Sequence, residues 1–160
     1  MSTKAEEKRR KKSAARLYAV QALFQMEASG QTAEAVAREF ETHRFGASVE
    51  AEDGSVEELA EGDVTLFRAL VGHAVNQQAL VDQMTDRALV ATWPIDRIDP
   101  VLRALFRAGG AELVAMDTPP RVIITEYVEV ARAFLPGGKE PKFVNAVLDH
   151  MAHEANPAGF

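Results

Sequence analysis

Apolar residues along this chain recur every three or four positions, the spacing of an amphipathic α-helix, and no strand-like alternation competes with this pattern. The first apolar stripe predicts a helix over about residues 13–28, closed by a glycine, and a more polar helix is predicted over about residues 32–45. The small and acidic residues of 46–54 indicate a loop. The first stripe consists of Leu17, Val20 and Phe24.

Proline and glycine mark the later helix boundaries. Residues 63–90 have helical spacing and form one long helix or two, since Gly72 weakens the middle by about 1 kcal/mol relative to alanine. Asp99 and Pro100 are typical of a helix start. Two more helices lie on either side of a turn at residues 136–138, and the first of them is apolar enough to be central. The predicted fold class is therefore all-α, with about seven helices.

The composition limits the class of protein. A chain of 160 residues most simply forms one domain, and we expect a folded domain at residues 13–156, a flexible basic arm at 1–12 and a tail at 157–160. The absence of cysteine excludes disulfides, thiol catalysis and cysteine-based zinc sites. No stretch approaches the roughly 20 apolar residues of a membrane span. We therefore expect a cytoplasmic protein without a membrane partner.

Charge is divided unevenly along the chain. Residues 1–16 hold seven of the 18 basic and two of the 24 acidic residues, a net charge of +5, whereas the remainder carries −11. The five consecutive cations at residues 8–12 are commonly a solvated tail, but such a run can also bind phosphates by releasing condensed counterions. Arg16 lies one turn beyond Lys12 on the predicted helix and continues the cations onto it. Any nucleic-acid contact should therefore be local.

A second candidate lies at the start of the last predicted helix. A helix N-terminus offers free N–H donors to a phosphate, and an exposed phenylalanine can stack on an unpaired base. The plainer interpretation places Phe143 in the core and Lys142 on the surface. The cluster spans residues 139–145 and places two lysines, an aromatic ring and an amide at the helix start, namely Lys139, Lys142, Phe143 and Asn145.

No constellation of residues indicates an enzyme. His150 and His153 have the spacing of a metal pair, but no further ligand set accompanies them. The sequence has no glycine-rich phosphate loop, nucleophile elbow or dinucleotide fingerprint. We expect no catalytic residue, no metal and no cofactor.

Three blocks of sequence carry a family resemblance. They are residues 16–25 after the basic arm, residues 106–113 together with 119–131, and residues 142–149, which read Lys-Phe-Val-Asn-Ala-Val-Leu-Asp. In order and spacing they resemble the NusB family of bacterial transcription antitermination factors. The resemblance covers essentially the whole chain and is most specific in the third block.

The resemblance implies an all-helical fold of two small bundles packed together and a non-enzymatic function. NusB pairs with NusE, the ribosomal protein also called S-ten, and the pair binds the boxA element of nascent RNA. The assembly helps the RNA polymerase elongation complex to read through terminators, notably in ribosomal RNA operons. Because the ribosomal partner is strongly basic in general, an acidic body on this chain would complement it.

The resemblance also implies which residues form the two interfaces. RNA contacts would come from the basic arm, the first helix and the start of the last helix. Partner contacts would come from the first helix and from the helix around residues 102–106. The implied RNA-binding residues are Arg9, Arg10, Lys11, Arg16, Lys142, Phe143 and Asn145, and the implied partner-binding residues are Phe24, Leu102 and Phe106.

The chain departs from the family pattern at three residues. Phe24 stands where tyrosine is usual, Thr125 where asparagine is usual and Ala146 where glycine is usual. Two alternatives stay open. One is an RNA-guiding NusB-like module of a ribosomal-RNA methyltransferase, against which the length argues because no cofactor-binding domain follows Phe160. The other is a homo-oligomeric scaffold, since some family members form homodimers.

Overall fold

A computed structural model of the chain describes residues 3–43, 48–50, 56–58, 62–89, 98–135 and 140–157. This part of the chain forms seven helices and two short strands, which confirms the predicted all-α class. None of these helices is long and apolar enough to cross a lipid bilayer. The elements are α1 (Lys4–Ser29), α2 (Ala33–His43), β1 (Ser48–Glu50), β2 (Val56–Glu58), α3 (Val64–Asn76), α4 (Gln78–Ala88), α5 (Pro100–Ala115), α6 (Pro120–Phe134) and α7 (Glu140–Ala155).

The first helix begins at Lys4, nine residues earlier than the apolar stripe predicts. Its start is fixed by Thr3, whose hydroxyl oxygen accepts a hydrogen bond from the Glu6 N–H at 3.1 Å. Thr3 and Glu6 have the spacing of a capping box, and the acids Glu6 and Glu7 interact favourably with the positive end of the helix dipole. The cations of residues 8–12 therefore lie on α1. The mobility of residues 1–12, and the division into arm, domain and tail, stay predictions.

Two other predicted boundaries are confirmed. Asp99 caps α5, because its carboxylate accepts a hydrogen bond from the Val101 N–H at 2.8 Å. Gly30 closes α1 in the left-handed conformation, with φ of 75°, which glycine adopts without steric cost. Asp63 caps α3 in the same way as Asp99, accepting from the Leu66 N–H at 2.9 Å.

Two segments differ from the expectations. Residues 63–90 contain two helices, but the break falls at Gln77 and not at Gly72, which lies inside α3. The loop predicted over 46–54 contains β1, which pairs antiparallel with β2. A three-residue strand is too short to reveal a period of two in the sequence. The predicted turn at 136–138 lies outside the described residues.

By contacts the chain divides into two compact units, Met1–Val71 and Gly72–Phe160. In the first unit α1 packs against α2, and three aromatic rings form a continuous series. The ring centroids of Tyr18 and Phe40 lie 6.5 Å apart, and those of Phe40 and Phe67 lie 5.8 Å apart in a stacked arrangement. Phe67, on α3, is completely buried.

An ion pair joins α2 to α3 at the surface of the first unit. Both Nε and Nη2 of Arg68 donate to the Glu41 carboxylate, with Nη2 donating to Oε2 at 2.9 Å. This hydrogen bond lowers the pKa of Glu41 below its ordinary value. The contribution to stability is therefore lost as the pH falls through that lowered pKa, and it is small because the pair is exposed.

In the second unit α5 packs against α4, α6 and α7. The close approach depends on two glycines in the middle of α5. A Cβ atom on Gly110 would lie 2.5 Å from Val81 Cγ1 and 2.8 Å from Met151 Cε. A Cβ atom on Gly109 would lie 3.2 Å from a methyl group of Leu148. Helix α5 is thus the centre of this unit, whereas the sequence pattern predicted α6 as the central helix.

Polar contacts join the same helices. Arg107 on α5 makes a two-armed ion pair with Asp82 on α4, at 3.0 and 2.9 Å. The Tyr127 hydroxyl on α6 donates to the buried Glu112 carboxylate on α5 at 3.0 Å. Because buried polar groups are costly without partners, these contacts restrict how the helices can pack.

We predict that Gly110→Ala destabilises the protein by about 1–3 kcal/mol, because Val81 and Met151 must move to admit the methyl group. The matched control is Gly72→Ala, since Gly72 is also inside a helix but a Cβ atom added to it would have open space for 4 Å around it. That substitution should stabilise by about 0.5–1 kcal/mol. Urea unfolding of both variants provides the measurement, and equal effects would show that the α5 contact does not constrain the packing.

Candidate functional site

The cations near the N-terminus form a solvent-exposed surface on α1. Arg9, Arg10 and Lys11 are all exposed. Arg9 and Arg10 line a shallow hollow of about 300 Å³ together with Glu6 and Ser13. The helix is held at this point, because the Lys11 carbonyl accepts a hydrogen bond from the Asp63 N–H at 3.0 Å. We call Arg9, Arg10 and Lys11 the α1 cationic surface.

Arg16 does not belong to this surface. Only 3% of the residue is exposed, and the residue has an interaction partner within the protein. A buried guanidinium must be compensated by neighbouring groups, which makes it a structural element of the first unit. Its predicted contact with a phosphate is untested, and its burial does not favour that contact.

The cluster at the start of α7 is divided between two faces of the helix. Lys142 and Asn145 line a groove between α6 and α7, and both residues are exposed. Lys139 lies outside the described residues. Phe143 packs edge-on against Phe106 of α5, with ring centroids 6.0 Å apart and an interplanar angle of 72°. The plainer interpretation of Phe143 therefore has support from this ring contact.

The groove has a mixed lining and a volume of about 280 Å³. Within the part of the chain that the structure describes, Thr125, Lys142 and Asn145 have no hydrogen bond or ion pair through their side chains. Arg132 forms an exposed ion pair with Glu129. We name this feature the α6–α7 groove, and its lining consists of Ile124, Thr125, Val128, Glu129, Arg132, Pro141, Lys142 and Asn145.

Phe24 lies in a cup between α1 and α2, with 37% of the residue exposed. A hydrogen-bond network fixes the rim, since Gln25 Nε2 donates to the side chains of Gln31 at 3.0 Å and of Glu39 at 3.1 Å. The Oε1 atom of Gln21 is buried without a partner among the described residues. The α1–α2 cup has a volume of about 380 Å³ and is lined by Gln21, Phe24, Gln25, Ala28, Ser29 and Phe40.

The other two predicted partner residues are in the core. Leu102 is 7% exposed and Phe106 is completely buried, where its ring contacts Phe143. Neither side chain offers a surface, so the expectation that they form one is not supported by their positions. Their contact with a partner is untested.

Sequence reasoning missed the α6 side of the groove. Thr125, Glu129 and Arg132 follow one another at four and three residues, which places them on one face of a helix. This row of polar residues along one face of a largely apolar helix was a usable signal. Among the described residues, no cluster of three or more histidine, aspartate or glutamate side chains could hold a metal ion.

Solved structures define the class of fold. T. maritima NusB superposes with a TM-score of 0.68 at 26% identity, covering 89% of this chain and 90% of that one. A crystal structure of the antitermination factors NusB and NusE in complex with dsRNA gives a TM-score of 0.69 at 23% identity, covering 91% of this chain and 98% of that one. The second likeness shows the fold alone.

The sequence comparisons define the family. The NusB family model matches residues 13–153. The transcription antitermination protein NusB of Maricaulis maris is 48% identical over 156 residues, which cover 97% of this chain and 94% of the relative. The chain therefore belongs to the NusB family, as the three sequence blocks predicted.

We predict that Arg16→Ala lowers the free energy of unfolding by at least about 1 kcal/mol, because it removes the packing of a large buried side chain from the first unit. The control is Arg9→Ala, where an exposed arginine is removed from the same helix and the change should stay within about 0.5 kcal/mol. Denaturant unfolding measures both. A neutral Arg16→Ala variant would contradict the structural role.

Proposed function

We propose that this chain is a transcription antitermination factor that binds boxA RNA together with ribosomal protein S-ten (NusE) and promotes read-through by RNA polymerase, notably in ribosomal RNA operons. The observation that carries the proposal is the match to an antitermination protein over 97% of the chain at 48% identity. A structural relative bound to NusE and dsRNA supports both kinds of partner. The function is non-enzymatic and belongs to the cytoplasm, where nascent RNA is made.

The RNA is proposed to bind first through phosphates on the α1 cationic surface. The chain as a whole has a net charge of −6, so long-range attraction for a polyanion is weak. A local group of exposed cations on a helix can still release counterions from the RNA. Lys142 and Asn145 extend this binding at α7, and Phe143 contributes through any part of its ring that the RNA can reach.

The S-ten partner is proposed to bind at the α1–α2 cup. Phe24 supplies an exposed aromatic side chain, a residue type that often contributes strongly to interfaces. The Gln21 Oε1 atom, which has no partner among the described residues, can accept a hydrogen bond from a donor that enters the cup. Since a buried acceptor without a partner is costly, a donor on the partner would remove that cost.

The alternatives receive less support. The relatives that match nearly the whole chain are antitermination proteins, and they are covered nearly completely themselves. This favours the antitermination factor over a module of a methyltransferase. No specific contact within the described part of the chain favours a homo-oligomeric scaffold.

We predict that the triple variant Arg9→Ala, Arg10→Ala, Lys11→Ala binds boxA RNA more weakly and with a flatter salt dependence. Each lost phosphate contact should reduce the slope of log affinity against log salt by roughly 0.7–1. The measurement is a titration of the wild-type protein and the variant, with and without S-ten, at several salt concentrations. The wild-type protein should bind weakly alone and more tightly with S-ten.

The matched control for this experiment removes three exposed arginines elsewhere, Arg38, Arg68 and Arg87, with the same change in net charge. Its slope should stay close to that of the wild-type protein. If both triple variants change the slope equally, only net charge matters and the α1 cationic surface is not the binding site. Equal affinity for boxA and a scrambled RNA would overturn sequence-specific binding.

We predict that Phe24→Ala weakens binding of S-ten by about fivefold or more, with little loss of stability, because the ring is exposed in the α1–α2 cup. The control is Leu80→Ala, since Leu80 is 42% exposed and lies on α4. Calorimetric titration of S-ten into each variant provides the affinity. Loss of affinity in the Leu80 variant alone would place the partner elsewhere.

A further inference from the structure

We propose that the α6–α7 groove is a subsite for one unpaired nucleotide of the bound RNA. The proposal rests on the proposed function and adds a location and five residues of α6 to it. These residues are Ile124, Thr125, Val128, Glu129 and Arg132. None of them belongs to the sites that the sequence resemblance implied.

The groove has the chemistry of a nucleotide site. Ile124, Val128 and Pro141 provide apolar surface on which the face of a base can lie. Thr125 and Asn145 offer a hydroxyl and an amide that can form hydrogen bonds with base edges. Proteins read single-stranded RNA in this way, with the base held against side chains and its edges hydrogen-bonded.

The size of the groove limits how many nucleotides can lie inside it. Its volume of about 280 Å³ is slightly below the roughly 300 Å³ at which pockets for drug-sized ligands begin. One nucleotide is therefore a suitable occupant, whereas a stretch of several nucleotides is too large. Double-stranded RNA is also excluded as the occupant, because its bases are stacked and paired and cannot enter.

The charges of the groove favour a phosphate at its edge. Lys142 lines the groove and has no ion pair within the described residues. Arg132 is paired with Glu129, but both side chains are more than half exposed, so the pair contributes little and can open. Arg132 can then bind the phosphate, while the Glu129 carboxylate can accept a hydrogen bond from an exocyclic amino group of the base.

The groove is continuous with the RNA site proposed at α7. Lys142 and Asn145, three residues apart on one face of α7, belong both to that cluster and to the groove wall. An RNA strand that reaches Lys142 therefore meets the groove directly. This continuity favours RNA as the occupant over a segment of protein.

The experiment compares Arg132→Ala with Arg87→Ala in the complex with S-ten. Each substitution removes one exposed arginine of the second unit and breaks one ion pair with a glutamate, Glu129 or Glu154. The probe is single-stranded boxA RNA, and the readout is its dissociation constant. Arg132→Ala should weaken binding about three- to tenfold, whereas Arg87→Ala should leave it unchanged.

A second measurement tests the base itself. Each nucleotide of the probe is replaced in turn by an abasic one, and one position should cost the wild-type complex roughly five- to hundredfold in affinity. Thr125→Val removes the hydroxyl but keeps the shape of the side chain. This variant should reduce the discrimination between bases at that position and leave the other positions unchanged. The reason is that the Thr125 hydroxyl contacts only the nucleotide in the groove, so the substitution in the protein and the change in the RNA are non-additive only at that position.

The outcomes separate the two proposals. If the wild-type complex does not bind the probe, the proposed function fails, and the subsite fails with it. If the wild-type complex binds but Arg132→Ala and Arg87→Ala behave alike, only the subsite is overturned. If Arg132→Ala weakens S-ten binding while the affinity of the chain alone for RNA is unchanged, the groove holds protein and the nucleotide subsite is overturned. Thermal melting of each variant verifies that it is folded. If Arg132→Ala does not fold, Thr125→Val still gives an independent test of the subsite.

Discussion

The packing of the second unit depends on the absence of a side chain at Gly110. At this point α4 and α7 approach α5 so closely that a single methyl group would overlap with Val81 and Met151. At Gly109, one residue earlier, Leu148 and Tyr127 also pack closely, although an added Cβ atom would lie 3.2 and 3.4 Å from them, which is a tight contact and not an overlap. Because Leu148 and Met151 belong to α7, these contacts fix the helix that carries Lys142 in its first turn. The geometry of the α6–α7 groove is therefore a consequence of two glycines that do not line it.

The sequence predicted features that are encoded locally. Gly30 and Asp99 mark helix ends because their conformation or side chain satisfies the neighbouring backbone, and a local rule suffices for that. The burial of Arg16 and of Phe106 could not be predicted, since it depends on which residues from distant parts of the chain cover them. The groove was missed for the same reason, because α6 and α7 supply its two walls separately. The early start of α1 is encoded by Thr3 and Glu6, but an apolar stripe does not reveal it because the first turns of this helix are polar.

The cations of α1 differ in what they can do, although the sequence places them side by side. Arg9 and Arg10 are exposed, and any favourable interaction with a phosphate there is a gain that salt weakens. Arg16 is buried, so its guanidinium is not accessible to a phosphate in this conformation. Counting charges therefore overstates the number of phosphate contacts that this region can make. The salt slope of RNA binding should reflect the exposed residues alone.

Two departures from the family pattern fall in the two concave sites of this chain. Thr125 stands in the α6–α7 groove where the resemblance leads one to expect asparagine, and a hydroxyl offers one donor where an amide offers two. Phe24 stands in the α1–α2 cup where the resemblance leads one to expect tyrosine, so the cup lacks a phenolic hydroxyl while Gln21 leaves an acceptor unpaired among the described residues. Both changes reduce the polar groups that the protein brings to its proposed ligands. Specificity at these sites must then depend more on shape, and on donors that the RNA and the partner protein provide.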